Sequence, residues 1–328
     1  MLKKKANILF TATFSTPFIQ KDLTILKTHF TVTEVISSGI KTIISFLSAI
    51  RSNDITFSWF ASVYSSVLVF FTKVFNKKSI IILGGVDVAK IPEFNYGIWN
   101  SWWRSIIVQY GIKNADLVLA VDESLKNDAV RLAGYNGNNI HILPTGYDSN
   151  HWVPGNQKDN IVLTVANCHN MTRVKIKGID FLITVANAMP DTSFVMIGLK
   201  NEIAVQLQIP ANIKYFESLE QSELLEVYQH AKVFFQPSMR EGLPNTLCEA
   251  MLCGCFPVGT NVGGIPSAIG DTGIVIQYND VNGAVDALHH AMEHKSNTTA
   301  RDRIMRTYSI NKREELLVKY ISSLFNEK

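Results

Sequence analysis

The sequence is poor in the features that would assign it to several common protein classes. Its 31 Lys and Arg residues nearly balance 28 Asp and Glu residues, and a net charge of +3 is too small to indicate a nucleic-acid partner. It has only four cysteines, and Cys253-Gly-Cys255 lacks the two-residue spacer of zinc knuckles and redox motifs. We therefore expect reduced core thiols in a cytoplasmic protein.

Long hydrophobic runs are also missing. The longest, residues 57–71, is interrupted by four serines and is shorter than the ~20 residues that a membrane span needs. The N-terminal segment 1–14 combines three lysines with an apolar run, but it has no small-residue cleavage site, so a first buried strand explains it better than a signal peptide. We expect no transmembrane helix. The aromatic residues of this half remain compatible with weak peripheral contact at the inner face of a membrane.

Short β-rich apolar runs alternate with helical segments along the whole chain. Because the runs are apolar throughout, they indicate strands buried on both faces, as in parallel sheets covered by helices. We expect strands at 6–11, 32–36, 55–58, 79–83, 116–121, 140–143, 161–165, 194–198, 213–216, 232–236, 255–260 and 273–276. This alternation predicts an α/β protein with doubly wound, Rossmann-like parallel sheets.

A loop-like segment divides this pattern into two comparable halves. Residues 144–160 are crowded with Pro, Gly, Asn and Asp, as expected of a linker. We therefore predict an N-terminal domain over 1–150 and a C-terminal domain over 151–308. The last segment, 309–328, carries an apolar stripe at helical spacing and must bury it, with the N-terminal domain a candidate surface. Two such domains facing each other would leave a cleft at the carboxyl ends of their strands, where ligands bind.

The stretch MREGLPNTLCEAMLCGCFPVGTNVGG (239–264) contains two acids without local partners. Neither Glu241 nor Glu249 has a basic residue three or four positions away. The pattern predicts a loop after the strand at 232–236 and a helix from about 245 to 253, with Pro244 in its first turn. Free amides at the helix start can hold a phosphate, and the carboxylates can accept hydrogen bonds from hydroxyls, which suits a nucleotide sugar. The alternative is a capped surface helix with two unrelated acids.

These residues carry a family resemblance. EGLPNTLCE (241–249) resembles the E-x7-E signature of the retaining glycosyltransferases with the GT-B fold, in group 1 or family 4. Further similar runs are AMLCGCFPVGTNVGGIP (250–266), LPTGYD (143–148), VMIG (195–198) and FFQPS (234–238). The resemblance covers about 180 residues of the C-terminal half. It implies two facing Rossmann-like domains, the N-terminal one on the acceptor side and the C-terminal one on the donor side.

The resemblance also implies roles for the residues of this stretch. Glu249 would bind the ribose hydroxyls of the nucleotide, and Glu241 would bind hydroxyls of the transferred sugar. The amides near Asn245 and Thr246 would contact the diphosphate. The loop between the acids would complete the donor site with Gly242, Leu243 and Pro244.

The family places a basic pair after the first strand of its C-terminal domain. Here Lys177-Gly178 fits that pattern, and Lys177 would neutralise the β-phosphate as the glycosidic bond breaks. The position expected to hold the arginine is occupied by Asn167. Either Arg173 on a lengthened loop substitutes for it or leaving-group stabilisation is weaker; a solvated loop charge is the remaining reading of Arg173.

Leaving-group stabilisation would be the main catalytic task. The resemblance implies attack by the acceptor hydroxyl on the same face, with retention, assisted by the departing diphosphate. Cations and helix N-termini would supply the stabilisation, with no metal and no cofactor. No DxD motif stands in a metal-binding context.

The N-terminal half matches the family less well. The segment 13–22 replaces a frequent glycine-rich loop, and its hydroxyls could approach the diphosphate or only shape a turn. Where many members place a histidine, this chain has Gly84-Gly85-Val86-Asp87; Asp87 is our candidate for contacting the sugar or the acceptor, with a turn acid as the alternative. The aromatic segment 94–103 could stack on sugars, but its helical spacing is more typical of a core.

The sequence thus predicts a retaining glycosyltransferase that moves a sugar from a nucleotide-diphosphate sugar to a hydroxyl acceptor. The acceptor would be a glycan or a lipid-linked glycan in cell-surface polysaccharide or glycolipid synthesis, on the resemblance alone. Two alternatives remain open. One is a GT-B nucleotide-sugar epimerase, and the other is a non-catalytic module that binds nucleotide sugars or glycans.

Overall fold

A computed structural model describes residues 5–294 and 298–326, except for the side chains of residues 40 and 41. The chain forms two compact units. The N-terminal unit contains the chain up to Gly146 together with the segment from Ile310 onward, and the C-terminal unit spans Tyr147–Ser309. The boundary between Gly146 and Tyr147 lies inside the segment rich in Pro, Gly, Asn and Asp.

The N-terminal unit is built on a six-stranded parallel sheet in the order β2-β1-β3-β4-β5-β6. Its strands are β1 Asn7–Ala12, β2 Thr31–Ile36, β3 Ile55–Trp59, β4 Lys78–Leu83, β5 Leu117–Ala120 and β6 Ile140–Ile142. Its helices are α1 Pro17–His29, α2 Ile40–Ile50, α3 Val63–Val74, α4 Trp102–Asn114 and α5 Glu123–Ala133, with 3-10 turns at Val86–Val88, Pro92–Phe94 and Ile98–Asn100. The inner strands β3 and β5 are buried along their whole length because helices cover both faces of the sheet.

The C-terminal unit repeats this architecture with a six-stranded parallel sheet in the order β12-β11-β10-β7-β8-β9. Its strands are β7 Asp159–Cys168, β8 Ser193–Leu199, β9 Ile213–Phe216, β10 Ala231–Gln236, β11 Phe256–Thr260 and β12 Ile274–Ile276. Its helices are α6 Met171–Ile176, α7 Ile179–Ala188, α8 Asn201–Ala204, α9 Gln221–His230, α10 Asn245–Leu252, α11 Ile265–Ile269, α12 Val281–Glu293 and α13 Thr298–Thr307. All twelve strands coincide with the apolar runs named above, which confirms the α/β prediction.

The closing helix α14, Ile310–Asn326, belongs to the N-terminal unit and contacts α1. Arg313 on this helix is buried and forms a two-pronged ion pair with Asp22 of α1, with both N–O distances at 2.6 Å. Its remaining nitrogen donates to the carbonyl oxygens of Leu143 and Pro144. Trp59 donates a further hydrogen bond to Asp22, so both buried charges are fully engaged.

Two local expectations change in the structure. Trp99 is buried, but Trp102 and Trp103 are 77% and 43% exposed, so reading the whole aromatic segment as core is wrong. Pro244 precedes α10 in an extended conformation instead of lying in its first turn. All four cysteines are buried and free of disulfides, as predicted.

Candidate donor site

The predicted residues Lys177 and Glu241 lie where neighbouring strands of the C-terminal unit end, next to Gly263, which was not predicted. Lys177 lies in the connection that follows β7, Glu241 lies in the loop that follows β10, and Gly263 follows β11. The strands β7, β10 and β11 are adjacent and parallel, so their carboxyl ends share one edge of the sheet. That edge is the usual ligand-binding edge of doubly wound sheets.

Lys177 and Glu241 form an ion pair. The Lys177 Nζ atom lies 2.5 Å from Glu241 Oε1, and the two side chains are only 16% and 9% exposed. The absence of a basic neighbour along the local sequence therefore does not leave Glu241 unpaired, because its lysine comes from 64 residues earlier in the chain. A partly buried pair of this kind is screened less than a surface pair.

Three polar residues that sequence reasoning missed hold Glu241 in place. Ser238 Oγ donates to Glu241 Oε1 at 2.7 Å, and Gln236 Nε2 donates to the same oxygen at 3.1 Å. Thr260 Oγ1 in turn donates to the Ser238 carbonyl at 2.5 Å. The sequence contained one signal for this hydrogen-bonded cluster, a glutamine at the end of the apolar strand AKVFFQ. Gln236 is fully buried, and buried polar groups need hydrogen-bond partners.

Two glycines allow the Glu241 loop to approach its neighbours closely. Gly178 has a φ of +66°, and a Cβ there would lie 2.0 Å from the Pro237 carbonyl oxygen. Gly263 has a φ of +54°, and a Cβ there would lie 2.1 Å from the Glu241 carbonyl oxygen. Neither position can accept a side chain without moving the loop.

Side chains fix the start of α10. The first backbone amides of this helix have no hydrogen-bond acceptor among the described residues. Asn245 Oδ1 accepts a hydrogen bond from Tyr147, and Thr246 donates to the carbonyl oxygen of Val165 in β7. The amides of residues 245–247 have no acceptor among the described residues, because the first helical hydrogen bond runs from Cys248 to Pro244. Such amides favour an anion.

Glu249 lies further along α10 and is partly buried. The hydroxyl of the fully buried Tyr228 donates to its Oε2 atom at 3.4 Å. Burial raises the pKa of Tyr228 well above its ordinary value, and the negative charge of Glu249 adds to the shift. Tyr228 therefore stays a hydrogen-bond donor to this carboxylate over the physiological pH range.

Arg173 lies near this cluster. Its backbone amide is capped by Asn170, and its Nε atom donates to the Asn167 carbonyl oxygen at 3.3 Å. Burial raises the pKa of the neighbouring Cys168 thiol to about 11, while the charges of Arg173 and Lys177 act in the opposite direction. Both cations thus lie within electrostatic reach of one buried atom in the connection after β7.

Asp87 lies in the N-terminal unit and is buried in the turn that follows β4. Its carboxylate accepts hydrogen bonds from the backbone amides of Ala61, Gly84 and Gly85, at 2.7–3.2 Å. Burial raises its pKa, and these amides act in the opposite direction. The preceding residue of the β3 turn, Phe60, has a φ of 69°, which is uncommon for a non-glycine residue. This geometry favours the turn-acid alternative, in which Asp87 ties two loops together.

The N-terminal unit also contains a cavity of about 530 Å³ at the carboxyl edge of its own sheet. Its walls come from the residue after β1 and from the starts of α2, α3 and α4. The lining residues are Thr13, Ser38, Gly39, Ile43, Ser62, Val63, Tyr64, Ile98, Trp103 and Arg104. The cavity therefore combines apolar walls with several hydroxyl groups and one guanidinium group.

Two kinds of feature are absent from the described residues. Within 5–294 and 298–326, no three His, Cys, Asp or Glu side chains are placed to hold a metal ion. In the same part of the chain, no helix has the length and apolar character needed to cross a membrane.

The two parallel sheets and their flanking helices define the GT-B fold, which comparison with solved structures shows directly. A sucrose-phosphate synthase from Thermosynechococcus elongatus superimposes with a TM-score of 0.81 at 13% identity, covering 99% of this chain and all of that one. The Anabaena protein HepE, solved in complex with UDP and glucose, gives a TM-score of 0.76 at 14% identity, covering 97% of this chain and all of that one.

The similarity in sequence to known proteins includes the C-terminal unit. Residues 148–310 match the family described as glycosyl transferases group 1. The alpha-maltose-1-phosphate synthase of Mycolicibacterium smegmatis is 28% identical over 216 residues, which is 58% of this chain and 54% of that protein. The chain spans about half the length of the first curated relatives that it matches.

Proposed function

We propose that this protein is a retaining glycosyltransferase that moves a sugar from a nucleotide-diphosphate sugar to a hydroxyl acceptor. The observation that carries the proposal is the cluster of Lys177, Glu241 and the unpaired amides of residues 245–247 at one strand edge. The group 1 match over 148–310 supports it, and so does the presence of UDP and glucose in the HepE structure.

The donor would bind to the C-terminal unit. The diphosphate would lie at the start of α10, where three amides have no acceptor in the part of the chain that the structure describes. The ribose hydroxyls would donate to Glu249, whose carboxylate already accepts one hydrogen bond from Tyr228. The hydroxyls of the transferred sugar would donate to Glu241, which Ser238 and Gln236 keep in position.

Lys177 would stabilise the negative charge that develops on the leaving diphosphate. Because Glu241 already lies 2.5 Å from its ammonium group, part of that positive charge is compensated before the donor binds. A second cation would therefore be needed for full stabilisation, and Arg173 in the connection after β7 is our candidate. The acceptor hydroxyl would attack on the face of the departing diphosphate, and the reaction would require no metal or cofactor.

The acceptor would bind to the N-terminal unit. Its cavity offers Trp103 and Tyr64 as surfaces for a sugar ring or an apolar group, and Arg104 for an anionic group. A glycan or lipid-linked glycan fits this chemistry, which favours cell-surface polysaccharide or glycolipid synthesis at the inner face of a membrane. In this scheme the role of Asp87 is to hold together the loop that follows β3 and the loop that follows β4.

The test has two steps. First, nucleotide sugars are screened for protection of the full chain against thermal unfolding, since specific binding adds stability by mass action. Second, release of free nucleoside diphosphate from the best donor is measured with and without candidate acceptors, and the product is identified by mass spectrometry.

Acceptor-dependent release with a sugar added to the acceptor is the expected result. Interconversion of the donor sugar without transfer would support the epimerase alternative. Donor protection with no turnover under any acceptor would support a binding module. Either of these two outcomes would overturn the proposal.

A further inference from the structure

Tyr147, the first residue of the C-terminal unit, contacts the first turn of α10 with its side chain. The residue is buried, with 2% exposure, and its backbone amide donates to the Tyr308 carbonyl oxygen at 2.9 Å. The Tyr147 hydroxyl lies 2.8 Å from Asn245 Oδ1. A side chain from 98 positions earlier in the chain is therefore held against the residue at which α10 begins.

The same hydroxyl forms a hydrogen bond with the thiol of Cys248, which lies three residues after Asn245 on the same side of the helix. Burial raises the pKa of this thiol to about 12, although the hydrogen bond with Tyr147 acts in the opposite direction. The thiol is therefore protonated at neutral pH and donates to the Tyr147 oxygen. The single proton of the Tyr147 hydroxyl then points to Asn245 Oδ1.

This direction fixes the orientation of the Asn245 side-chain amide. An amide carries one acceptor oxygen and one NH2 group, and the hydroxyl proton has to meet the oxygen. The Asn245 Nδ2 group is thereby left without a hydrogen-bond acceptor in the part of the chain that the structure describes. Because Asn245 is only partly buried, its NH2 group remains available to a ligand.

The Asn245 NH2 group belongs to the same helix start as the backbone amides of residues 245–247, which have no acceptor within 5–294 and 298–326. With the orientation that Tyr147 imposes, the side chain adds a further donor to these amides. With the reverse orientation, it would add a carbonyl oxygen, which repels an anion. Tyr147 therefore determines whether Asn245 favours or opposes a phosphate at this position.

The alternative is that Tyr147 only anchors the beginning of the C-terminal unit. Burial of its ring and the backbone hydrogen bond to Tyr308 would achieve this without a hydroxyl group, and a phenylalanine would fill the same space. The hydroxyl instead contacts two side chains of the first turn of α10, Asn245 and Cys248. These contacts favour a role in the arrangement of that turn.

We propose that Tyr147 is a positioning residue for the donor, which holds the Asn245 side chain so that its Nδ2 group donates to the diphosphate. This inference rests on the proposed function, and it adds a side-chain donor to the backbone amides expected there. The contact exists in the bound donor before the reaction begins, so it should affect donor affinity more than kcat. Lys177 should show the opposite behaviour.

The test is a double-mutant cycle on the affinity for a nucleoside diphosphate. The probe is whichever of UDP, GDP, ADP and CDP binds the wild-type chain most tightly in calorimetry. Asn245→Ala should weaken binding about tenfold to about 100-fold, through the loss of a hydrogen bond to a charged group. Tyr147→Phe should weaken it about fivefold to about tenfold in the wild-type background, but less than about twofold in the Asn245→Ala background, because it acts through Asn245.

The matched control is Tyr308→Phe, because Tyr308 is also buried and its hydroxyl donates to the Ser267 carbonyl oxygen, away from Asn245. This control should bind the probe as the wild type does. Asn245→Asp keeps an oxygen for Tyr147 and replaces only the NH2 group, so it should lose at least as much affinity as Asn245→Ala. In steady-state kinetics, Tyr147→Phe should raise the donor KM about fivefold to about tenfold and leave kcat within about twofold, which general damage to the structure would not do.

Three results would overturn the inference while donor binding by the wild type leaves the proposed function intact. Wild-type affinity in Tyr147→Phe would show that the hydroxyl has no part in binding, and wild-type affinity in Asn245→Asp would exclude the NH2 group as a donor. An equal loss from Tyr147→Phe in both backgrounds would show that the hydroxyl acts independently of Asn245. Failure of the wild type to bind any of the four nucleotides would instead contradict the proposed donor site, and the inference would fall with it.

Discussion

Replacing Lys177 by methionine removes the ammonium group and keeps a side chain of similar length. In the structure, Glu241 then loses its closest partner but keeps the hydrogen bonds from Ser238 and Gln236. The carboxylate is therefore not stranded, and we expect a stability loss of only about 1–2 kcal/mol. Thermal unfolding of the variant without ligand checks this first.

The expected kinetic effect is larger. One charge pair at ~4 Å in an effective dielectric of ~20 contributes about 4 kcal/mol, and Glu241 compensates part of it. We therefore expect Lys177→Met to lose about 2–4 kcal/mol of transition-state stabilisation, or about 30-fold to about 1,000-fold in kcat. The dissociation constant of the nucleotide-sugar donor should change much less than kcat, because the leaving-group charge develops only during the reaction.

The assay is release of nucleoside diphosphate under saturating donor and acceptor. Lys175→Met is the matched control, because Lys175 lies two residues away and pairs with Asp180 at 2.8 Å. Glu241→Gln removes a negative charge instead of a positive one. It should lower the rate of transfer but leave the affinity for the nucleoside diphosphate unchanged or higher, because a negative charge near the phosphates has been removed. A kcat of Lys177→Met equal to that of the Lys175 control would refute the leaving-group role.

Three further substitutions test other parts of the account. Glu249→Ala should weaken binding of the nucleoside diphosphate by about tenfold to about 100-fold, through the loss of charged hydrogen bonds to ribose, and unchanged affinity in calorimetry would exclude that role. Arg313→Met should lower the free energy of unfolding by about 3–5 kcal/mol because it leaves a buried aspartate unpaired; a loss below about 1 kcal/mol in urea unfolding followed by tryptophan fluorescence would contradict the buried network. Gly178→Ala should reduce both stability and turnover, because the added Cβ would lie 2.0 Å from a carbonyl oxygen at a φ of +66°, and a wild-type melting temperature and rate would argue against the close approach.

Most of the fold could be predicted because it depends on local sequence. A strand buried on both faces must be apolar at every position, so runs such as SIIIL at 79–83 mark their own location. The start of α10 could be placed nearly as well, since Pro244 cannot continue a preceding helical hydrogen-bond pattern. These signals locate strands and helices without any knowledge of which segments are neighbours in the folded protein.

The pairings could not be predicted because they join distant parts of the chain. Glu241 and Lys177 are 64 residues apart, and Asp22 and Arg313 are 291 residues apart. A search for partners three or four residues away finds only pairs on the same helix. The sheet order, in which β7 and β10 are neighbours, is what brings Lys177 to Glu241.

The exposure of Trp102 and Trp103 could not be predicted for a different physical reason. Apolar residues at helical spacing usually identify the buried face of a helix, but α4 is apolar on two faces. Val108 and Ile112 pack into the unit, while Trp102 and Ile106 point outward. Periodicity alone does not tell which of two apolar faces is buried.

The central claim is that the start of α10 and the Lys177–Glu241 pair form the donor site. Hydrogen exchange of the full chain, with and without saturating nucleoside diphosphate, tests it most directly. We expect slower exchange in peptides that contain the amides of residues 245–247 and the connection around Lys177. Demonstrated nucleotide binding that leaves exchange in both segments unchanged would contradict it.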